Sequence, residues 1–182
     1  QTVSKILSAL LLSEDNKNLQ ARIIRACGQI GVSEHQVVGF VKSNISDPML
    51  TSSCLFFLEL CPDKHSLQIL EGLLGKYNSK STYSLSLIRA LTAQESLSDK
   101  NKELITFITS CLTDSKNTEL LRWSLQYVAK HPLAIYKAEA LKYINHKEPL
   151  LQLHAVIALK YLKDESVADE LAKLLKSSSE SV

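Results

Sequence analysis

Residues 148–164 read EPLLQLHAVIALKYLKD, and residues 167–175 follow as VADELAKLL. In the first stretch the apolar residues Leu151, Ala155, Ala158, Leu159 and Leu162 recur at the spacing of one face of an α-helix. The second stretch has the same period and begins after a short polar break, so the two together predict a helix, a turn and a second helix.

The same pattern recurs upstream at a nearly constant interval. Pairs equivalent to Ala158-Leu159 lie 34, 34, 33 and 31 residues apart, at Ser124-Leu125, Ala90-Leu91, Phe57-Leu58 and Ala26-Cys27. A second amphipathic segment follows each pair, over 34–44, 65–76, 100–112, 133–145 and 166–176. We therefore predict repeats near 17–45, 48–77, 81–112, 115–146 and 149–176, preceded by an N-terminal helix over 3–12 at the phase of a second helix.

Proline and glycine fall between these segments rather than within them. Pro48 and Pro149 each follow an acidic residue where a first helix should begin, and proline is well tolerated at the first helical position. Pro62 and Pro132 fall where first helices should end, and Gly31 lies where a helix C-terminus favours a left-handed residue. No alternating strand pattern of useful length is present, so the prediction is an all-α chain.

A period near 34 is also typical of tetratricopeptide repeats, but the residues three and four after the single Trp123 are Gln126 and Tyr127, not the Leu-Gly of that family. Residues 148–175 resemble instead a short HEAT repeat, of the kind also called PBS-lyase-type, and residues 18–31 resemble it next best. The usual arginine of that family is matched by Arg22, whereas His154 and other residues replace it elsewhere. The resemblance covers nearly the whole chain and implies a right-handed α-solenoid of about five HEAT-like helix pairs plus one N-terminal helix, with the second helices lining a concave face.

Composition limits the function classes. The 182 residues carry 21 Lys and Arg against 19 Asp and Glu, a net charge of +2 that does not suggest a dedicated nucleic-acid binder. No apolar run approaches the roughly 20 residues of a membrane span, so we expect a soluble chain without membrane insertion, in the cytoplasm or nucleus. Residues 177–182 read SSSESV and are expected to be a disordered tail or linker. The helix over 3–12 is either a natural cap or the remainder of upstream repeats of a parent chain.

Cysteine and histidine give no metal pattern. The four cysteines lie within apolar helical segments, where buried reduced thiols are expected. A zinc site from Cys54, Cys61 and His65 would lack a fourth ligand and a Cys-x-x-Cys pair. The prediction is therefore that the chain has no metal ligands and no cofactor.

The fourth repeat carries the most distinctive surface pattern. Between residues 122 and 147 five bases accompany a single acid, Glu139, and aromatic residues interleave with them. Such a pattern fits an acidic peptide or stacked nucleic acid, but also aromatic side chains in the core beside solvated bases. The candidate partner-binding residues are Arg122, Lys130, Tyr136, Lys137, Lys142 and Lys147.

Catalytic signatures such as a Gly-x-Ser-x-Gly elbow, a phosphate loop or His-Glu-x-x-His are missing from the sequence. The expected function is a non-catalytic scaffold, a segment of a larger assembly subunit that binds a protein or acidic peptide on its concave face. Two HEAT-like enzyme families, the bilin lyases and the alkylpurine DNA glycosylases, leave an enzyme open as the alternative. A nucleic-acid-binding module is the third possibility.

Overall fold

The computed structural model describes residues 2–32, 34–95, 97, 101–113 and 116–162, together with Ala168 and Ala172. Every secondary-structure element in these ranges is helical, which confirms the all-α prediction. The elements are α1 (Thr2–Ser13), α2 (Lys17–Gln29), α3 (His35–Asn44), α4 (Thr51–Leu60), α5 (Lys64–Glu71), α6 (Ser84–Ala93), α7 (Lys102–Thr113), α8 (Thr118–Lys130), a 3-10 helix (Ala134–Tyr136), α9 (Lys137–Leu141) and α10 (Pro149–Tyr161).

The chain divides into two compact units, residues 1–107 and 108–182, with the division inside α7. In the first unit α2 packs along α4 and α4 along α6, while α1 packs against α2 and α3. In the second unit α8 packs along α10, and α9 packs against α10. Within each unit, the helices that carry the repeated apolar pairs are therefore neighbours.

Burial of the repeated pairs explains why these helices associate. In the first unit the buried members of these pairs are Cys27, Phe57, Leu58, Ala90 and Leu91. In the second unit they are Ser124, Leu125, Ala158 and Leu159. Burying a leucine side chain completely contributes about 1.5–3 kcal/mol, so these positions dominate the packing of each unit. The hydroxyl of Ser124, the one polar member, donates to the Leu120 carbonyl at 2.8 Å.

Most helix boundaries follow the predicted chemistry, with one correction. Pro149 is at the first turn of α10, Pro62 and Pro132 lie just beyond the ends of α4 and α8, and Gly31 has a φ of 71°. Pro48, however, does not begin α4, which starts at Thr51. The reason is Asp47, whose carboxylate accepts the Met49 amide at 2.9 Å and closes a turn before the helix begins.

Two of the second helices, predicted over 65–76 and 133–145, are shorter than their apolar patterns suggested, whereas α3 and α7 match the predicted 34–44 and 100–112 to within about two residues. The segment predicted as a helix over 133–145 is a 3-10 helix, α9 and a run of turns. In those turns the amides of Tyr143 and Ile144 bond to carbonyls three residues back rather than four. The helix predicted over 166–176 and the tail over 177–182 lie outside the described residues, apart from Ala168 and Ala172, which are helical and exposed.

No helix in the described part of the chain combines the length and apolar character that a membrane crossing requires.

Candidate partner-binding groove

The cations predicted to bind a partner are distributed over α8, α9 and the turns that follow. Arg122 bonds to Glu119 one turn earlier, with 2.5 Å between its guanidinium nitrogen and the carboxylate oxygen. The Lys142 ammonium lies 2.6 Å from Glu139. Lys147 is exposed and Lys137 is half-buried. The structure therefore neutralises part of the positive charge that the sequence concentrates here.

Tyr136 must be removed from the candidate surface. Its side chain is fully buried, and its ring packs edge-on against Tyr127 with 6.5 Å between ring centres. Tyr127 is only 2% exposed. The 3-10 helix turns Tyr136 inward although lysine follows it directly, so this ring is a core residue that no partner can reach in the folded chain.

The other two aromatic residues of this region use their polar ends within the chain. The Trp123 indole donates to Glu119 at 3.1 Å, and the Tyr143 hydroxyl donates to the carbonyl of Leu112. Burial, with a smaller contribution from the Glu139 carboxylate, raises the pKa of Tyr143. These contacts hold α8 and the turns after α9 in place. The rings of Trp123 and Tyr143 therefore do not form an exposed row.

A groove of about 710 Å³ lies between α8 and α10. It involves two first helices, not the second helices on which the sequence placed the binding face. Lys130 is the one predicted residue in its lining, which consists of Gln126, Ala129, Lys130, Pro132, His154, Ile157 and Tyr161.

A polar contact ties the two helices together in this groove. The side-chain Nε2 atoms of Gln126 and His154 are 3.2 Å apart. Burial, then the positive charge of Arg122, lowers the pKa of His154, while Glu119 acts weakly in the opposite direction. The lowered pKa favours the neutral imidazole, whose unprotonated Nε2 is able to accept from the Gln126 amide.

The α10 wall carries an exposed apolar stripe. Leu150, Leu153, Ile157 and Tyr161 share one helix face by their spacing of three, four and four residues. Leu150, Leu153 and Tyr161 are 48%, 51% and 50% exposed. A contiguous exposed apolar surface of this kind usually marks an interaction site.

Lysines stand at one end of the groove. Lys130 is the last residue of α8, and Lys160 lies in the last turn of α10 with its ammonium 5.8 Å from the centre of the Tyr161 ring. No carboxylate is found among the described residues that line the groove. Among the described residues, the groove is lined by apolar and neutral polar side chains apart from Lys130, and Lys160 lies nearby in the last turn of α10.

A second groove, of about 590 Å³, lies in the first unit and has a different character. It is lined by Pro62, Asp63, Lys64, Leu67, Gln94 and Glu95. Its polar groups hold helix ends: Asp63 accepts the Ser66 amide at 2.6 Å to cap α5, and the Gln94 amide donates to the carbonyls of Leu58 and Ala90 at 3.3 and 3.1 Å. These bonds account for Asp63 and Gln94 as parts of the fold.

The cysteines are free and buried, as predicted. Burial, with smaller contributions from nearby Cys61 and Glu34, raises the pKa of Cys27 to about 11, and burial likewise raises the pKa of Cys54 to about 12. These thiols are therefore protonated and poor nucleophiles at neutral pH.

Within the described ranges no three His, Cys, Asp or Glu side chains lie close enough to hold a metal ion.

Sequence reasoning missed six of the seven groove residues, although one signal was available. Leu150, Leu153, Ile157 and Tyr161 form an apolar stripe on α10 in addition to the buried stripe that includes Leu151. A helix that is apolar on two faces needs a second surface to cover it.

Comparison of the chain with protein-family models, with curated proteins and with solved structures finds no match.

Proposed function

We propose that the chain is a non-catalytic protein-interaction scaffold, built of HEAT-like helix pairs stacked in a right-handed solenoid, and that a partner protein docks in the groove between α8 and α10. The observation that carries the proposal is the groove itself, which is open and continues into the exposed apolar stripe of α10. The partner should present apolar side chains and carboxylates.

The energetics fit a specific but modest interaction. Covering the three half-exposed side chains of Leu150, Leu153 and Tyr161 together with the less exposed Ile157 contributes about 3–5 kcal/mol before the entropy cost of association is subtracted. Apolar contacts alone would then give weak binding. A carboxylate of the partner beside Lys160, which is exposed in the last turn of α10, would add affinity.

The surface formed by the second helix of the fourth repeat is a weaker candidate. Tyr136 is buried there and Lys142 is paired with Glu139, so few groups remain to hold a partner. Nucleic-acid binding at this surface would need exposed rings beside its bases, and Tyr127 and Tyr136 are both in the core.

Affinity capture from source lysate, read by mass spectrometry, tests the proposal. The wild type would be compared with Ile157→Glu in the groove and with a triple charge reversal of Lys137, Lys142 and Lys147. The matched control is Met49→Glu, since Met49 is an apolar residue of the other unit that is 56% exposed.

The proposal predicts a protein that the wild type, Met49→Glu and the triple variant retain and that Ile157→Glu loses. Loss only in the triple variant would move the site to the second helices. Equal retention by all four forms, or recovery of nucleic acid in place of protein, would refute the groove as the docking site.

A further inference from the structure

We infer that a second interaction surface lies in the first unit, where α2 packs along α4, and that it holds an acidic peptide segment. This surface, named the arginine seam, consists of Arg22 and Arg25 on α2 and of Ser53, Phe56 and Leu60 on α4. None of these residues lines the groove between α8 and α10, so the partner of the seam is separate from the partner of the groove.

Arg25 is held in place by two contacts with α4. Its Nε donates to the hydroxyl of Ser53 at 3.1 Å, and its guanidinium carbon lies 5.0 Å from the centre of the Phe56 ring. Ser53 is buried, whereas Arg25 is exposed. Neither terminal nitrogen of Arg25 has a hydrogen bond to a residue that the structure describes. The guanidinium is therefore already oriented, and its terminal nitrogens are available to donate to a ligand.

Another arginine of the same unit shows what such a guanidinium binds. Arg89 precedes the repeated pair of α6 as Arg25 precedes the repeated pair of α2. The Nε and one terminal nitrogen of Arg89 donate to a carboxylate oxygen of Glu59, at 3.1 and 2.8 Å. Among the described residues Arg25 meets a hydroxyl and a ring on α4, not a carboxylate. A carboxylate from a partner would complete the same charge-assisted contact at Arg25.

The seam carries positive charge that neighbouring residues do not neutralise. α2 has no acidic residue, and Arg22 lies exposed one helical turn before Arg25. The two carboxylates of α4 and of the turn before it have other partners, since Asp47 pairs with Lys17 at 3.4 Å and Glu59 with the arginine of α6. In the described part of the chain no carboxylate forms an ion pair with either arginine of the seam. A segment with two or more carboxylates is the complementary partner.

An exposed apolar side chain lies beside the arginines. Leu60, the last residue of α4, is 41% exposed. Its side chain lies over Gly28 of α2, since a Cβ built on that glycine would be 3.6 Å from Leu60 Cδ1. Gly28 follows Arg25 by three residues, which is about 4.5 Å along the helix axis. Extended residues advance about 3.3 Å each, so one short peptide can place a carboxylate at Arg25 and an apolar side chain on Leu60.

A nucleic acid is a poorer fit to the seam. Its bases would need an exposed ring on which to stack, but Phe56 is half-buried and already carries the Arg25 guanidinium. A phosphate backbone also offers no apolar group to cover Leu60. The combination of two arginines with an exposed leucine therefore favours a peptide that has both carboxylates and an apolar residue.

Two capped peptides of about 12 residues, long enough to span the seam when extended, are the probes. One has glutamates on both sides of a central leucine, and in the other glutamine replaces every glutamate. Binding to the full chain would be followed by proton–nitrogen NMR, which detects weak complexes and observes the Nε–H of Arg25 directly.

The glutamate peptide should shift the Nε–H of Arg25 and the backbone amides of α2, and should bind about tenfold more tightly than the glutamine peptide, with a smaller advantage at high salt. Arg25→Lys keeps the charge but not the planar fork and should weaken binding about tenfold. Arg22→Gln should weaken it severalfold. The matched control is Lys42→Gln, an exposed base of α3 in the same unit, which should change nothing.

Equal affinity for the two peptides, no binding of the glutamate peptide, or affinity unchanged by both arginine substitutions would each overturn the inference. A phosphoserine peptide that shifts the same amides where the glutamate peptide does not would also overturn it, because the seam would then select phosphate over carboxylate. Amide dispersion like that of the wild type in each variant would show that lost binding is not lost folding.

Discussion

Two glycines provide a sensitive test of how closely the first helices pack. Gly28 in α2 and Gly39 in α3 both lie inside helices of the same unit, and neither has a positive φ. A Cβ built on Gly39 meets nothing within 4 Å. A Cβ built on Gly28 would lie 3.2 Å from the Cα of Phe57 in α4, a backbone atom that cannot rotate away.

Helix propensity favours alanine over glycine at both sites, so the contact of the new Cβ with Phe57 decides which variant is the more stable. Gly39→Ala should raise the free energy of unfolding by about 0.5–1 kcal/mol. At Gly28 the same gain is opposed by an overpacking cost of about 1–3 kcal/mol, since α2 and α4 must separate slightly. The two variants should therefore differ by about 1–3 kcal/mol, with Gly28→Ala the less stable.

Thermal unfolding followed by circular dichroism would measure this difference, with urea titration as an independent check. For a chain of this size each kcal/mol shifts the Tm by about 2–4 °C, so the two variants should be separable. If Gly28→Ala were as stable as Gly39→Ala, α2 and α4 would not approach as closely as the structure shows.

Three further outcomes are expected. Burial holds the pKa of His154 below its usual 6.5, so the unfolded chain binds a proton at this imidazole more readily than the folded chain does. The stability of the fold should therefore fall as the pH drops from 7 towards the folded pKa. His154→Gln should flatten that part of the curve of Tm against pH, and an unchanged slope would contradict the pKa shift. Hydrogen bonds from the hydroxyls of Ser4 and Ser8 lower the pKa of Glu34 below its usual 4.5, so its contribution to stability should be present at neutral pH and lost as the pH falls through the folded pKa. Glu34→Gln should therefore destabilise the chain most at pH 7 and progressively less as the pH falls below 4.5, and an effect that does not change with pH would refute this. Cys54 should react with a thiol reagent only as fast as the chain opens, and rapid stoichiometric labelling of the native chain at that site would show that it is not buried.

The sequence was sufficient to predict the first helices, because their apolar pairs are local and strongly periodic. Leu125 and Leu159, for example, are buried in helices where the 34-residue interval places them. The start of α4 was not predictable in the same way, since Asp47 and Pro48 suit a helix start and a turn equally well. In the structure the turn prevails, closed by the hydrogen bond from the Met49 amide to the Asp47 carboxylate.

The candidate site was harder to predict, because charge and aromatic content do not reveal which way a side chain points. Tyr136 lies beside Lys137 in sequence, yet its ring is in the core. The groove arises from Gln126 and His154, which are 28 residues apart and meet only when α8 packs on α10. Lys130 alone belongs to both the predicted and the observed surface.

Site-specific photo-crosslinking in source cells locates the surface on which a partner docks. A photo-reactive amino acid would replace Ala129, which lines the groove, and in a matched form Ala138, which is exposed on α9 beside Lys137. If the partner docks in the groove, position 129 should give a discrete crosslinked partner that is absent from position 138 and is lost when Ile157→Glu is added. The same partner crosslinked from position 138 and not from 129 would contradict it, and would place docking on the second helices.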